Sequence, residues 1–180
     1  MNITVFGGAN PQPGEPAYQE AYELGRLLAL QGHTVLTGGY IGTMEAVSRG
    51  AAEAGGHVIG VTCTPIELWR KVSANAWVKE EWRCQTLTQR LDRLIEGSQA
   101  WIALPGGVGT LAEISLAWNQ MIIQALPVRP LILVGTGWQS VIELMFASFD
   151  GYIKDHDKQL VQAVPDIQTA ASLLKSPSSS

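Results

Sequence analysis

The sequence predicts an α/β fold: a Rossmann-like, doubly wound, mostly parallel sheet flanked by helices. Two observations predict it. Short apolar runs of strand length alternate with segments of helical periodicity along the whole chain. Three of those runs end in glycine turns, at Gly7-Gly8, Gly38-Gly39 and Gly106-Gly107. In a parallel sheet with right-handed crossovers every strand ends on the same edge, so the three turns converge where such sheets bind ligands.

Each element can be justified in order. Ile3 to Phe6 reads as a buried first strand, and Gly7-Gly8-Ala9-Asn10 as a turn that brings backbone close to a ligand. Pro11 to Pro16 is a rigid loop. Tyr18 to Gln31 has helical spacing and Gly32 to stop it; Thr34-Val35-Leu36-Thr37 is the second strand. Gly38 to Thr43 repeats the glycine turn and helix start, Met44 to Ala54 carries the second helix, and Val58 to Val61 the third strand. Pro65 to Ala76 suits a short helix or a mobile loop, Trp77 to Trp82 a short strand, and Gln85 to Gly97 a helix. Ala100 to Ala103 is the central strand and Ile114 to Gln124 the central helix. Pro130 to Val134 is a further strand and Trp138 to Phe149 a further helix. Gln159 to Val164 and Ile167 to Leu174 form a weaker final pair.

The 180 residues fit one nucleotide-binding domain, 1–174, large enough to bury about 70% of its unfolded surface, with a serine-rich tail, 175–180, expected to be disordered. A net charge of −4 with both signs scattered gives no basic footprint for nucleic acid or an anionic membrane. Cys63 and Cys84 form no CxxC pair, so no metal site and no disulfide framework is expected. The N-terminus lacks the basic and apolar regions of a signal peptide, and no run approaches the roughly 18 apolar residues of a membrane span. A soluble, cytoplasmic protein is expected.

The chemistry concentrates in Leu104-Pro105-Gly106-Gly107-Val108-Gly109-Thr110-Leu111-Ala112-Glu113. A strand, a glycine turn and a helix start make a cradle for an anion, because unpaired N–H groups and the helix dipole both favour negative charge. Thr110 adds a hydroxyl. Glu113 would repel phosphate, which suits it to a sugar hydroxyl or to acid/base chemistry; alternatively Thr110 and Glu113 form a capping box without chemistry. Of the six tryptophans, Trp101 and Trp118 suit core or dimer interface, while Trp69 could stack on a base. His33 and His57 sit at strand starts, opposite the ligand edge, and His156 lies in a late polar loop. Ile114, Trp118, Met121, Ile122 and Ile123 make the central helix apolar nearly all round, so a homodimer or larger homo-oligomer is expected. A nicotinamide-dependent enzyme fits poorly: no GxGxxG follows the first strand, and Thr37 stands where an acidic residue would close the second.

Pro105 to Glu113 resembles the PGGxGTxxE signature of the Lonely Guy (LOG) family, once called lysine decarboxylase-like, and the resemblance extends from Val5 to about Leu144. It implies a phosphoribohydrolase that cleaves the N-glycosidic bond of AMP or a cytokinin riboside 5′-monophosphate, releasing free base and ribose 5-phosphate, with no metal or redox cofactor. Carried over by position, the catalytic pair falls on Glu113 and Arg90. The phosphate- and nucleotide-binding positions fall on Gly7, Gly8, Gly38, Gly39, Gly42, Thr43, Gly106, Gly107, Gly109 and Thr110. Arg90 would offset the carboxylate and grip phosphate or ribose; without the resemblance it reads as an exposed residue pairing with Glu96. The chain departs from the family at Gln89-Arg90-Leu91, where the triplet is ERK, at Ala9 and Asn10, which replace serines, and at Thr37 and Glu45, which replace glycines. The stretch Met44 to Gly50 is also similar to molybdenum-cofactor carrier relatives, so a non-catalytic nucleotide or pterin-phosphate carrier is the alternative.

Overall fold

A computed structural model describes residues 1–174. The expected disorder of residues 175–180 therefore lies outside the described residues. Seven strands form one parallel sheet: β1 (Asn2–Phe6), β2 (Thr34–Thr37), β3 (Val58–Cys63), β4 (Glu80–Cys84), β5 (Ala100–Ala103), β6 (Leu131–Val134) and β7 (Gln162–Val164). Their order is β4-β3-β2-β1-β5-β6-β7, and every pairing is parallel. The chain winds outward from β1 to β4, returns to pair β5 beside β1, and then winds the other way. The switch point is thus the β1–β5 boundary, where Phe6 pairs with Ala103.

The helices are α1 (Pro16–Leu30), α2 (Thr43–Glu53), α3 (Thr64–Arg70), α4 (Leu87–Glu96), α5 (Val108–Ile122), α6 (Thr136–Ser148), α7 (Asp155–Lys158) and α8 (Ile167–Ser172). Strand side chains alternate between two apolar layers. Ile3, Val5 and Val35 pack with Leu24 and Leu28 of α1, Val47 of α2 and Ala170 of α8. Phe6, Leu36 and Trp101 pack with Leu94 of α4, Ile114 and Trp118 of α5 and Ile142 of α6. No helix among the described residues is long and apolar enough to cross a membrane.

The irregular middle resolves into α3 and β4, so Pro65 to Ala76 is helical only as far as Arg70. The central helix starts six residues earlier than its apolar spacing suggests, at Val108, because glycine at the N-cap and in the first turn hides the periodicity. Thr110 is then the third helical residue and the N-cap is Gly107, which removes the capping-box reading. Trp101 and Trp118 are core residues: their indole N–H groups donate to the carbonyls of Ile95 and Asp157. Most of the apolar girth of α5 is covered from within the chain, since Ile114, Trp118 and Met121 are buried while Ile123 is exposed. His33 is buried against the Leu174 carbonyl, and His57 meets Glu80.

Candidate active site

A cleft of about 580 Å³ opens over the β1–β5 switch point, a size typical of small-molecule sites. The loops after the two strands form its floor. Leu104 N–H donates to the Phe6 carbonyl and Gly8 N–H to the Pro105 carbonyl, so the first and third glycine turns are joined side by side. Gly7, Gly8, Ala9 and Asn10 face Gly107, Val108, Gly109 and Thr110 across this floor. The N-terminus of α5 enters the cleft here with Gly107 as N-cap and no capping side chain. Its first N–H groups are left for a ligand, and the helix dipole adds positive potential.

Glu113 lies one and a half turns further along α5 and also lines the cleft. Its side chain is 11% exposed. Burial pushes its carboxyl up from the ordinary 4.5 to about 7, and the positive charge of Arg90 opposes that rise. Among the described residues no group donates a hydrogen bond to it, so both oxygens are available to a ligand.

Arg90 comes from α4, whose N-cap Thr86 accepts from Gln89 N–H. It is not the exposed helix residue that its isolated sequence context suggests: its side chain is 7% exposed and does not pair with Glu96. Nε donates to the carbonyl of Val61, within β3, at 2.8 Å and Nη2 to that of Gly38, just after β2, at 3.3 Å. Nη1 lies 3.8 Å from Glu113 Oε1. The guanidinium also sits over the Tyr40 ring at 5.6 Å. Half of the planar fork is thus engaged by backbone, and Nη1 is turned toward Glu113.

The structure divides the remaining glycine positions into two groups. Gly7, Gly8, Gly107, Gly109 and Thr110 line the cleft. Gly38, Gly39, Gly42, Thr43 and Gly106 do not, and shape it from behind. A side chain at Gly38 would collide with the Arg90 guanidinium and the Met44 sulfur, so its absence admits Arg90 to the site. Gly42, at φ +71, holds its turn against the Ala9 backbone. Gly106 backs onto Thr110, Gly7 onto Thr43, and Gly39 onto Gly60. Thr37, where the LOG pattern has glycine, caps this turn by accepting from Gly39 N–H. Two lining features escaped the sequence reading. Tyr40 is buried beneath Arg90, its hydroxyl bonded to both backbone groups of Cys63, and Pro65, Ile66, Leu87 and Leu91 form an apolar wall with Trp69. Tyr40 lies within the second glycine turn without being one of its glycines, and the wall residues lie outside the glycine turns, so only their position in space marks them.

Residues 1–129 match the SLOG cluster4 family. The chain belongs to the SLOG cluster4 family. The resemblance to LOG proteins is confirmed as well. The cytokinin riboside 5′-monophosphate phosphoribohydrolase LOG4 of Arabidopsis thaliana is 34% identical over 178 residues, covering 96% of this chain and 80% of its own. The corresponding enzyme of Rhodococcoides fascians is 29% identical over 182 residues, covering 98% and 90%. Among solved structures, the molybdenum cofactor binding protein of Rippkaea orientalis superposes on this SLOG chain with a TM-score of 0.75 at 28% identity, covering 97% and 94%. The molybdenum cofactor carrier protein of Chlamydomonas reinhardtii does so with 0.73 at 26%, covering 97% and 95%.

Proposed function

We propose that this SLOG protein is a LOG-type nucleoside 5′-monophosphate phosphoribohydrolase that hydrolyses AMP or a cytokinin riboside 5′-monophosphate to free base and ribose 5-phosphate. The observation that carries the proposal is Glu113, a buried carboxylate without a hydrogen-bond donor among the described residues, held 3.8 Å from Arg90 and facing the cleft beside an uncapped helix N-terminus. The 5′-phosphate binds at Gly107, Val108, Gly109 and Thr110, opposite Gly8. Five residues at about 1.5 Å rise set Glu113 some 7 to 8 Å along the axis from Val108, a span suited to a ribose whose phosphate sits at the helix end. There its ionised form stabilises oxocarbenium character at C1′ and takes a proton from the attacking water. The water oxygen bonds to C1′, the electron pair of the C1′–N bond leaves with the base, and the proton passes on to the base. Arg90 acts mainly by position, since its Nη1 charge keeps part of Glu113 ionised near neutral pH.

Base release from AMP and isopentenyl-AMP, followed by chromatography for the wild type, Glu113→Gln and Arg90→Ala, tests this reading. Release that depends on both residues supports it; release undiminished in Glu113→Gln overturns it. The second reading is a non-catalytic nucleotide or pterin-phosphate carrier, favoured by the molybdenum cofactor proteins among the solved relatives and by Leu91 where the LOG triplet has lysine. It predicts that nucleotide protects the fold against heat with no base released.

Association into a homodimer is part of the proposal. Val141, Leu144 and Met145 follow helical spacing along one side of α6 and are exposed, as is Phe149 at its C-cap.

A further inference from the structure

Arg90 is held by two short segments of chain. Gly38, just after β2, accepts from Nη2, and Val61 of β3 accepts from Nε. Both segments run on to a further contact. Two residues beyond Gly38 the Tyr40 ring lies against the guanidinium, and two residues beyond Val61 the backbone of Cys63 holds the Tyr40 hydroxyl. That hydroxyl accepts from Cys63 N–H at 2.7 Å and donates to the Cys63 carbonyl at 3.1 Å. The β2–β3 register ends at Thr37 with Gly60, so both segments lie past its last pair. Among the described residues, the hydrogen bonds that join them there are those of the Tyr40 hydroxyl. Burial pushes this hydroxyl above its ordinary 10; the Cys63 thiol and Glu67 raise it further, against the lowering by the Cys63 carbonyl bond and by Arg90. It therefore stays a neutral donor wherever Glu113 titrates.

We propose that Tyr40 is a positioning residue: its hydroxyl locks the second glycine turn to the end of β3, and the bracket so closed holds the Arg90 guanidinium beside Glu113. The ring face attracts the cation, and the hydroxyl decides where the ring stands, because its proton and a lone pair are both committed to one residue. Without the lock, the turn that carries Gly38 and the ring drifts from the strand that carries Val61, and the guanidinium cannot follow both. Its charge then acts on Glu113 from a less fixed distance, and Glu113 binds its proton more readily. The inference deepens the hydrolase reading, and only its kinetic consequence, a fall in kcat with KM nearly unchanged, rests on that reading.

Carbon-13 NMR titration of the Glu113 carboxyl in the ligand-free protein tests this, its resonance assigned by its absence from Glu113→Gln. Tyr40→Phe keeps the ring and removes the hydroxyl, whereas Tyr40→Leu removes both. The Glu113 midpoint is expected to rise by about 0.3 to 1 pH unit in Tyr40→Phe, and further in Tyr40→Leu. In an Arg90→Ala background the same substitutions leave the midpoint where Arg90→Ala alone puts it, because Tyr40 acts through the arginine. A merely structural tyrosine lowers stability in both backgrounds without moving this midpoint. The proposal is overturned if Tyr40→Phe titrates as the wild type does, or if its shift persists without Arg90. Tyr40→Phe differs by one hydroxyl and decides the question should Tyr40→Leu fail to fold. The titration needs no substrate, so the lock and the hydrolase fail separately. A raised midpoint in a protein that releases no base keeps the lock and removes the activity, whereas base release with an unmoved midpoint does the reverse.

Discussion

Arg90 Nη1 stands 3.8 Å from Glu113 Oε1, while the rest of its guanidinium is held by the carbonyls of Val61 and Gly38. The pair joins α4 to α5 across the ends of β2 and β3. The distance exceeds a hydrogen bond, so the arginine acts on the carboxylate through charge and leaves its oxygens to the ligand. The two residues thus hold a carboxyl near its point of half-ionisation at neutral pH.

Replacing Glu113 by Gln is expected to lower kcat for base release by roughly 10² to 10⁴, the range for loss of an acid/base group, while nucleotide affinity is retained. Single-turnover chromatography beside calorimetry separates the two effects. Loss of binding in step with loss of rate contradicts the assigned role.

The same carboxyl makes activity and stability depend on pH in opposite senses. If the ionised form is active, kcat/KM rises with pH through a midpoint near 7. A carboxyl whose folded pKa of about 7 lies above its unfolded value contributes stability that is fully present below about pH 4.5 and is lost as pH rises through 7. Glu113→Gln should therefore match wild-type stability at pH 5 and exceed it at pH 8, by at most about 3 kcal/mol. Thermal melts of the ligand-free proteins at the two pH values check the sign.

Arg90→Ala removes the charge that lowers the Glu113 pKa, so any remaining activity should show its pH midpoint above that of the wild type. Breaking a buried ion pair costs about 3 to 5 kcal/mol, which denaturant unfolding will register. Arg90→Lys keeps a charge but loses the fork to Val61 and Gly38, and is expected to recover the pH midpoint only in part.

Gly38→Ala and Gly107→Ala distinguish the two groups of glycines. The first forces a methyl against Arg90 and Met44 and should cost about 1 to 3 kcal/mol of stability along with activity. The second projects into open space on the cleft wall, so stability should be nearly unchanged while affinity for ribose 5-phosphate falls. Equal effects on stability from the two substitutions contradict the division.

Sedimentation should report a dimer for the wild type, and Leu144→Asp, which places charge on the exposed side of α6, should shift it to monomer. A wild-type monomer at micromolar concentration removes the dimer from the proposal.

The sequence by itself determined the order of the strands and the longer helices, because apolar periodicity and glycine breaks are local signals, but it left α3 open between helix and loop and did not mark α7. Thr34–Thr37 and Ala100–Ala103 agree to the residue. The glycine turns likewise placed the ligand edge, since handed crossovers leave little choice once strands and helices alternate. The start of α5 was obscured because Gly107 and Gly109 carry no periodicity, although both favour the turn itself. Arg90 was ambiguous for a different reason: nothing local says whether a helical arginine points to water or beneath a neighbouring turn. Only the tertiary structure decided that Arg90 and Glu113, 23 positions apart, share one buried space. It decided too that Gly38 makes room for the arginine while Gly107 lines the cleft, and that α3 supplies an apolar end to the cleft. These are relations between segments remote in sequence, set by how the sheet and its helices pack, and no pattern within any one segment encodes them.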